Sequence, residues 1–225
     1  METGAKTLKI MRLVNWYNNW LFSRIKENLK GEILEVGAGI GNFTTLLKTC
    51  GRVTAIDIEK DYITKLKKIK EIKVGFGDIE KGNYFFKNKR FDRIVCLNVL
   101  EHIKADEVAL KNMYDLLKKG GKLILLVPAH QWAYGSLDEE LGHFRRYDKA
   151  LAQERMRKAG FKVKLIRYIN WIGIFGWFIN AKITRRKILS KSQLAFFDKI
   201  ARLLLKVEDA ADLPFGLSVL VIGEK

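Results

Sequence analysis

At 225 residues, 48% hydrophobic and 30% charged, the chain has the composition of a soluble globular protein and room for one well-packed domain with an insertion. Its two cysteines, Cys50 and Cys96, stand far apart and one sits inside an apolar run, which speaks against a disulfide framework and suggests a reducing, cytoplasmic setting. The net charge of +17 implies an anionic partner, whether nucleic acid, a phosphorylated substrate or a membrane surface, although cations spread over 65–73, 81–93, 155–164 and 185–191 also fit a lysine-rich surface with no specific partner.

Met1 to Ile10 carries two lysines and a glutamate but no long apolar core, which argues against a signal peptide. The spacing of Leu13, Trp16, Trp20, Phe22, Ile25 and Leu29 predicts an amphipathic helix over 12–29. Within it, Tyr17-Asn18-Asn19-Trp20 either lids a neighbouring ligand or supplies core aromatics. A strand over 32–36, a helix over 41–49, a strand over 52–58, a helix over 61–69 and a strand over 72–76 follow. The alternation continues with a strand at 91–97, a helix at 106–117 stopped by Lys118-Lys119-Gly120-Gly121, and a strand at 122–127. Asp148 caps a helix over 149–159, a strand runs over 161–168, a helix over 194–207, and the last strand over 217–222. Strands alternating with helices predict an α/β chain with a parallel sheet. The organisation is one domain: an N-terminal helix (12–30), a core (31–169), a helical insertion (170–216) and the last strand (217–225).

The first strand runs into Glu35-Val36-Gly37-Ala38-Gly39-Ile40-Gly41-Asn42-Phe43, a glycine turn of the kind that lets a nucleotide approach the backbone closely. Asp57 closes the second strand, where a carboxylate can accept hydrogen bonds from both ribose hydroxyls. A dinucleotide fingerprint would place its third glycine where Asn42 stands; here the glycines read G-x-G-x-G. Glu35 would repel a pyrophosphate but suits a cofactor carrying an ammonium and a sulfonium, which favours S-adenosylmethionine over a nicotinamide dinucleotide.

With these residues the chain resembles the class I S-adenosylmethionine-dependent methyltransferases over roughly 30–165. Gly77-Asp78-Ile79 lies where that family places the acid that meets the adenine amino group. Phe91 to His102 is similar to its fourth strand and following loop, and Gly120 to Pro128 to its fifth strand. The resemblance implies a doubly wound, Rossmann-like sheet of seven strands, mostly parallel with an antiparallel last strand. It implies cofactor contacts from Tyr17, Glu35, Gly37, Ala38, Gly39, Gly41, Asp57, Ile58, Asp78, Ile79, Asn98 and Val99. His102 is expected to shape the cofactor loop and not to perform chemistry.

Two segments stand outside the common core. Residues 128–147 leave the carboxyl end of a strand, where doubly wound sheets bind ligands, and carry His130, Trp132, Tyr134, the acidic residues Asp138, Glu139 and Glu140, His143, Arg145, Arg146 and Tyr147. His143 or His130, with Tyr147, can serve an acceptor that must lose a proton. Arg145 or Arg146 can clamp a phosphate or carboxylate, with Trp132, Tyr134 and Tyr147 as pocket walls. The alternative is a structural latch, its arginines paired to the acidic cluster and its histidine capping a helix. The Leu-Gly-His-x-Arg-Arg-Tyr pattern resembles a bacterial and archaeal subgroup of small class I methyltransferases.

The second segment, 170–216, opens with the apolar run Trp171 to Ile179 and then the cations Lys182, Arg185, Arg186 and Lys187. It is too short to span a bilayer and reads as a cap over an acceptor pocket, an interfacial segment on anionic lipid at the inner membrane face, or a dimer face. The leading function is methyl transfer to a small-molecule or lipid-like acceptor by in-line displacement. RNA methylation is the alternative carried by the charge, and a noncatalytic cofactor-binding protein a third. No metal is expected, since no carboxylates and histidines stand at ligand spacing outside the crowded loop.

Overall fold

The computed structural model describes residues 15–186, 191–205, 208 and 212–225. The reading of Met1 to Ile10, the first three residues of the expected N-terminal helix, Lys187 and the end of the 194–207 helix lie outside them.

A helix, α1 (Asn15–Ile25), leads through a 3-10 turn to β1 (Glu32–Val36). There follow α2 (Thr44–Leu47), β2 (Arg52–Asp57), α3 (Lys60–Leu66), β3 (Lys73–Asp78) and the two-residue β4 (Asn83–Tyr84). The second half runs β5 (Phe91–Leu97), α4 (Asp106–Leu116), β6 (Leu117–Pro128), α5 (Ser136–Leu141), α6 (Lys149–Lys158) and β7 (Lys162–Ile169). Beyond it come α7 (Trp171–Phe178), a π-helical turn (Ile179–Ile183), α8 (Lys191–Leu204) and β8 (Ser218–Glu224).

The strands form one sheet in the order β4-β3-β2-β1-β5-β6-β8-β7. Strands β3, β2, β1, β5 and β6 are parallel, and β8 enters antiparallel between β6 and β7. The described sheet therefore has eight strands where seven were expected, the extra one being the short β4 hairpinned onto β3. The chain moves outward from β1 through β2 and β3, then returns to the other side of β1 with β5 and β6. The strand order thus reverses between β1 and β5, and a crevice opens beyond their carboxyl ends.

Alternating side chains of the central strands feed two cores, one on each face. Leu34, Val36, Ile94, Cys96, Leu123 and Leu125 pack against Leu110 and Met113 of α4 and Met156 of α6. Ile33, Val95, Ile124, Leu126 and Leu220 face the opposite way, under Leu21 and Ile25 of α1 and Ala201 of α8. The N-terminal helix and the insertion thus close the same face of the sheet, although 181 residues separate Tyr17 from Asp198, whose Oδ1 accepts the Tyr17 amide at 3.2 Å.

Several expected boundaries moved. The helix expected from Gly41 begins only at Thr44, because Gly39 and Gly41 adopt left-handed backbones (φ 56° and 87°) that a helix cannot include. Strand β6 begins at Leu117 and absorbs the lysine-glycine stretch expected as a helix stop: the pairing with β5 jumps from Phe91↔Leu117 to Arg93↔Lys122, with Gly120 at φ 73° in the irregularity. Both cysteines are free, Cys96 buried in β5.

Candidate cofactor crevice and acceptor loop

The glycine turn after β1 is pinned to β2 by the amides of Gly37 and Ala38, which both donate to the Ile56 carbonyl at 2.9 and 3.1 Å. Gly37 has φ 66°, and a Cβ there would stand 2.4 Å from Val99 Cγ2, so the turn after β1 and the loop after β5 touch where only a glycine fits. Asp57 is buried at the end of β2; its Oδ2 accepts the Gly39 amide at 2.8 Å and its Oδ1 the Glu59 amide at 2.9 Å. Each oxygen keeps a further lone pair for a ribose hydroxyl. The next residue, Ile58, is 59% exposed, an apolar side chain at the crevice rim. Asp78 ends β3 with Oδ1 accepting the amides of Glu80 and Lys81, both at 3.0 Å. Asn98, exposed and at φ 53°, turns the chain out of β5.

Glu35 lies beneath this turn, buried, with Oε2 accepting the Thr44 hydroxyl at 2.6 Å. Burial, seconded by the Asp57 charge and opposed by Thr44, pushes its carboxyl up to about 8. A cleft of about 620 Å³ opens on the outer side of the turn, lined by Asn18, Asn19, Ile40, Asn42 and Lys65 among others; it does not include Asp57, Asp78 or Asn98. The residues expected at a nucleoside, Asp57, Asp78 and Asn98, lie instead at or just beyond the carboxyl ends of β2, β3 and β5.

The loop after β6 is ordered around one carboxylate. Asp138 is 0% exposed; its Oδ1 meets His143 Nδ1 and Arg146 Nε, each at 2.8 Å. Its Oδ2 accepts the Gly135 amide at 3.0 Å and Trp177 Nε1 at 3.3 Å. Arg146, 1% exposed, also donates to the Ala129 carbonyl at 2.9 Å, with its guanidinium 4.6 Å from the Trp177 ring centroid. Tyr147 is buried and donates to Asp106 Oδ2 at 3.0 Å; Arg145 donates to the carbonyls of Ile103 and Lys104 and pairs with Asp106 at 3.0 Å.

A family model described as a methyltransferase domain matches residues 17–165. The chain belongs to that methyltransferase family. It is 34% identical over 112 residues to an uncharacterized methyltransferase of Staphylococcus carnosus, a match covering 47% of this chain and 51% of that protein. It is 35% identical over 96 residues to phosphoethanolamine N-methyltransferase 3 of Arabidopsis thaliana, covering 40% of this chain and 20% of the plant protein. The chain thus spans about half, or less, of these relatives. Its fold is that of a SAM-dependent methyltransferase from Archaeoglobus fulgidus, at TM-score 0.61 and 16% identity, covering 92% of this chain and 94% of that one.

In this chain the structure gives several expected site residues other employment. Tyr17 is buried, accepts from Asn170 Nδ2 at 3.1 Å, stacks on Trp20 and meets Phe197 edge-on, so it is a core aromatic tying α1 to the insertion and not a lid over the crevice. Ile79 is buried in the core with Phe91. Arg145, Arg146 and Tyr147, open in the sequence to a substrate or proton role or to a structural latch, form such a latch: Arg146 pairs with Asp138, Arg145 with Asp106, and Tyr147 donates to Asp106, while Arg146 Nη2 is left without a hydrogen-bond partner. Tyr134 likewise donates its hydroxyl to the His143 carbonyl at 2.8 Å. The ring of His130, at φ 63°, stacks between Trp132 and Tyr168 with centroids 5.3 and 4.6 Å away; burial and the nearby Arg146 hold its pKa down. Trp132 remains 57% exposed.

The sequence placed no carboxylates and histidines at ligand spacing outside the crowded loop, and among the described residues the one such group draws on that loop for His143. The turn after β5 and the acceptor loop bring one ligand atom each from Glu101, His102 and His143 within 4.8 Å of one another. The sequence offered Asp138 only as one of three possible latch partners and Glu101 only as part of a family-typical turn, since nothing local marks either as the buried carboxylate.

Proposed function

We propose that this methyltransferase transfers a methyl group from S-adenosylmethionine to an amphiphilic small molecule with a polar or anionic head and an apolar body. The cofactor residues fit the group: the Gly37 turn admits close approach, Asp57 offers lone pairs to the ribose, exposed Ile58 offers an apolar face to the adenine and Asp78 an acceptor to its amine. Asn98 and Val99 would border it from the β5 side. S-adenosylmethionine supplies the sulfonium methyl; the chain's residues position the acceptor in line with it, which can supply much of the rate without a general base.

The observation that carries the acceptor class is the insertion's placement. The turn after α7 docks on the acceptor loop: Ser136 Oγ donates to the carbonyls of Ala181 and Arg186 at 3.1 and 2.8 Å, and Phe178 meets Trp132 edge-on at 5.8 Å. Phe175, Phe178, Ile179 and Trp132 stay exposed there, next to exposed Lys182, Arg185 and Arg186. An apolar rim beside cations suits a lipid-like acceptor, and the plant relative's name, a phosphoethanolamine methyltransferase, supports an anionic small-molecule head. The same rim would let the protein touch an anionic membrane peripherally. Among the described residues no helix is long and apolar enough to cross one.

Methyl transfer from tritiated S-adenosylmethionine into a host extract, split into organic, aqueous and RNA fractions, tests this reading against an Asp57→Ala control. Organic-phase label that the control abolishes is the expected result. Label confined to RNA would replace this reading with one built on the charge.

A further inference from the structure

Glu101 ends up in an unusual position for a carboxylate. It is 1% exposed, and neither Oε1 nor Oε2 has a hydrogen-bond partner. Leaving a buried carboxylate without donors costs several kcal/mol, so native structures pair such groups, protonate them or give them a metal. His143 Nε2 stands 4.0 Å from Oε1, too far for a hydrogen bond, and the Arg146 guanidinium, whose Nη2 is likewise unpartnered, acts on the carboxylate through its charge without bonding to it.

One of the two histidines around it is oriented from behind. His143 Nδ1 is engaged by Asp138 Oδ1 at 2.8 Å, which leaves Nε2 facing Glu101. His102, at the solvent edge, lies beside the backbone of Leu141 and Gly142 and packs edge-on against the His143 ring at 4.6 Å. A carboxylate behind an imidazole is the outer contact that fixes a metal-binding histidine in one tautomer.

We propose that Glu101, His102 and His143 bind one divalent first-row transition-metal ion, with a fourth position open on the solvent side of His102. Two imidazoles and one carboxylate are a donor set for zinc and for the softer divalent ions near it, and not for magnesium or calcium, which take oxygen. Tetrahedral bonds of about 2.0–2.1 Å place ligand atoms roughly 3.3 Å apart. The three groups lie within 4.8 Å of one another, and a rotation of the Glu101 side chain, which would break no hydrogen bond, would close the difference. The site adjoins the crevice, since Glu101 follows Asn98 and Val99 on one turn. There the open position would take an acceptor oxygen and favour its deprotonated form. That last role rests on the methyltransferase reading; the metal site itself does not.

The test uses the full chain without a histidine tag, stripped with a chelator and titrated with cobalt(II) and zinc(II). Wild type is expected to bind one equivalent, with visible d–d bands for cobalt and a raised Tm. His102→Ala, whose side chain sits at the solvent edge, and Glu101→Gln should lose stoichiometric binding. Asp138→Asn should weaken it by about 10–100-fold. His130→Ala, which removes the remaining histidine of the chain, should bind metal as wild type does. Absence of stoichiometric metal in wild type, or its retention in His102→Ala, overturns the site, and both readings survive any failure of the buried variants to fold. S-adenosylhomocysteine binding measured on the same samples without metal reports separately on the cofactor crevice.

Discussion

The glycine turn after β1 and the loop after β6 flank the turn after β5 at the carboxyl ends of the strands and are built in opposite ways. The turn is held by backbone geometry over short spans: left-handed glycines, amides on Ile56, and Asp57 accepting a Gly39 amide 18 residues away. The loop is held by buried charge: Asp138 gathers His143, Arg146 and Trp177, and Tyr147 reaches Asp106 41 residues away. Backbone-built turns tolerate surface change but not a side chain on the glycine; charge-built loops fail when one partner is removed, because the other is left buried and alone.

Four substitutions would break or sharpen that contrast. Asp138→Ala strands the Arg146 guanidinium and should cost about 3–5 kcal/mol in urea unfolding. A loss below about 1 kcal/mol would show that the latch is not electrostatic. Gly37→Ala forces a Cβ onto Val99 and a left-handed backbone onto alanine, at a cost of order 1–3 kcal/mol. It should also weaken S-adenosylhomocysteine binding at least about tenfold by calorimetry. Unchanged affinity would place the cofactor elsewhere, for instance in the cleft on the outer side of the turn.

Glu35→Gln tests the charge beneath the turn. The folded carboxyl is raised from 4.5 to about 8, so the folded chain keeps a proton that the unfolded chain releases. Its contribution to stability is full below about pH 4.5 and is lost as pH rises toward 8, and the variant should show a flatter decline of urea midpoint across that window. Wild type should also release protons on binding the cationic cofactor at pH 7, seen as a buffer-dependent binding enthalpy that Glu35→Gln lacks. Trp132→Ala should have the smallest effect on stability, within about 0.5 kcal/mol, because the side chain is largely exposed. It should raise KM for an amphiphilic acceptor while kcat holds; an unchanged KM would remove the apolar rim from substrate binding.

The backbone-built half was the legible one. Gly37, Gly39, Gly41 and Asp57 announce themselves by type and spacing because a tight turn and a strand-end carboxylate depend on neighbours close in sequence. The other half stayed open at particular residues. Tyr17 read equally as a lid or a core aromatic, because its partners Asn170 and Phe197 come from the insertion, which no local pattern couples to α1. Arg145, Arg146 and Tyr147 read as substrate ligands or as a latch, because sequence lists polar groups without saying which ones satisfy each other.

The sequence by itself determined the α/β alternation, the glycine turn and the strand-end acids of a methyltransferase, since hydrophobic period and glycine geometry act over a few residues. Only the tertiary structure decided which of Asp138, Glu139 and Glu140 is the buried hub and that Arg146 serves it. The same holds for the meeting of Glu101 and His102 with His143, 41 residues further on. Desolvation and charge pairing depend on what surrounds a group in space, and that is set only when the β5 and β6 loops are brought side by side at the edge of one sheet.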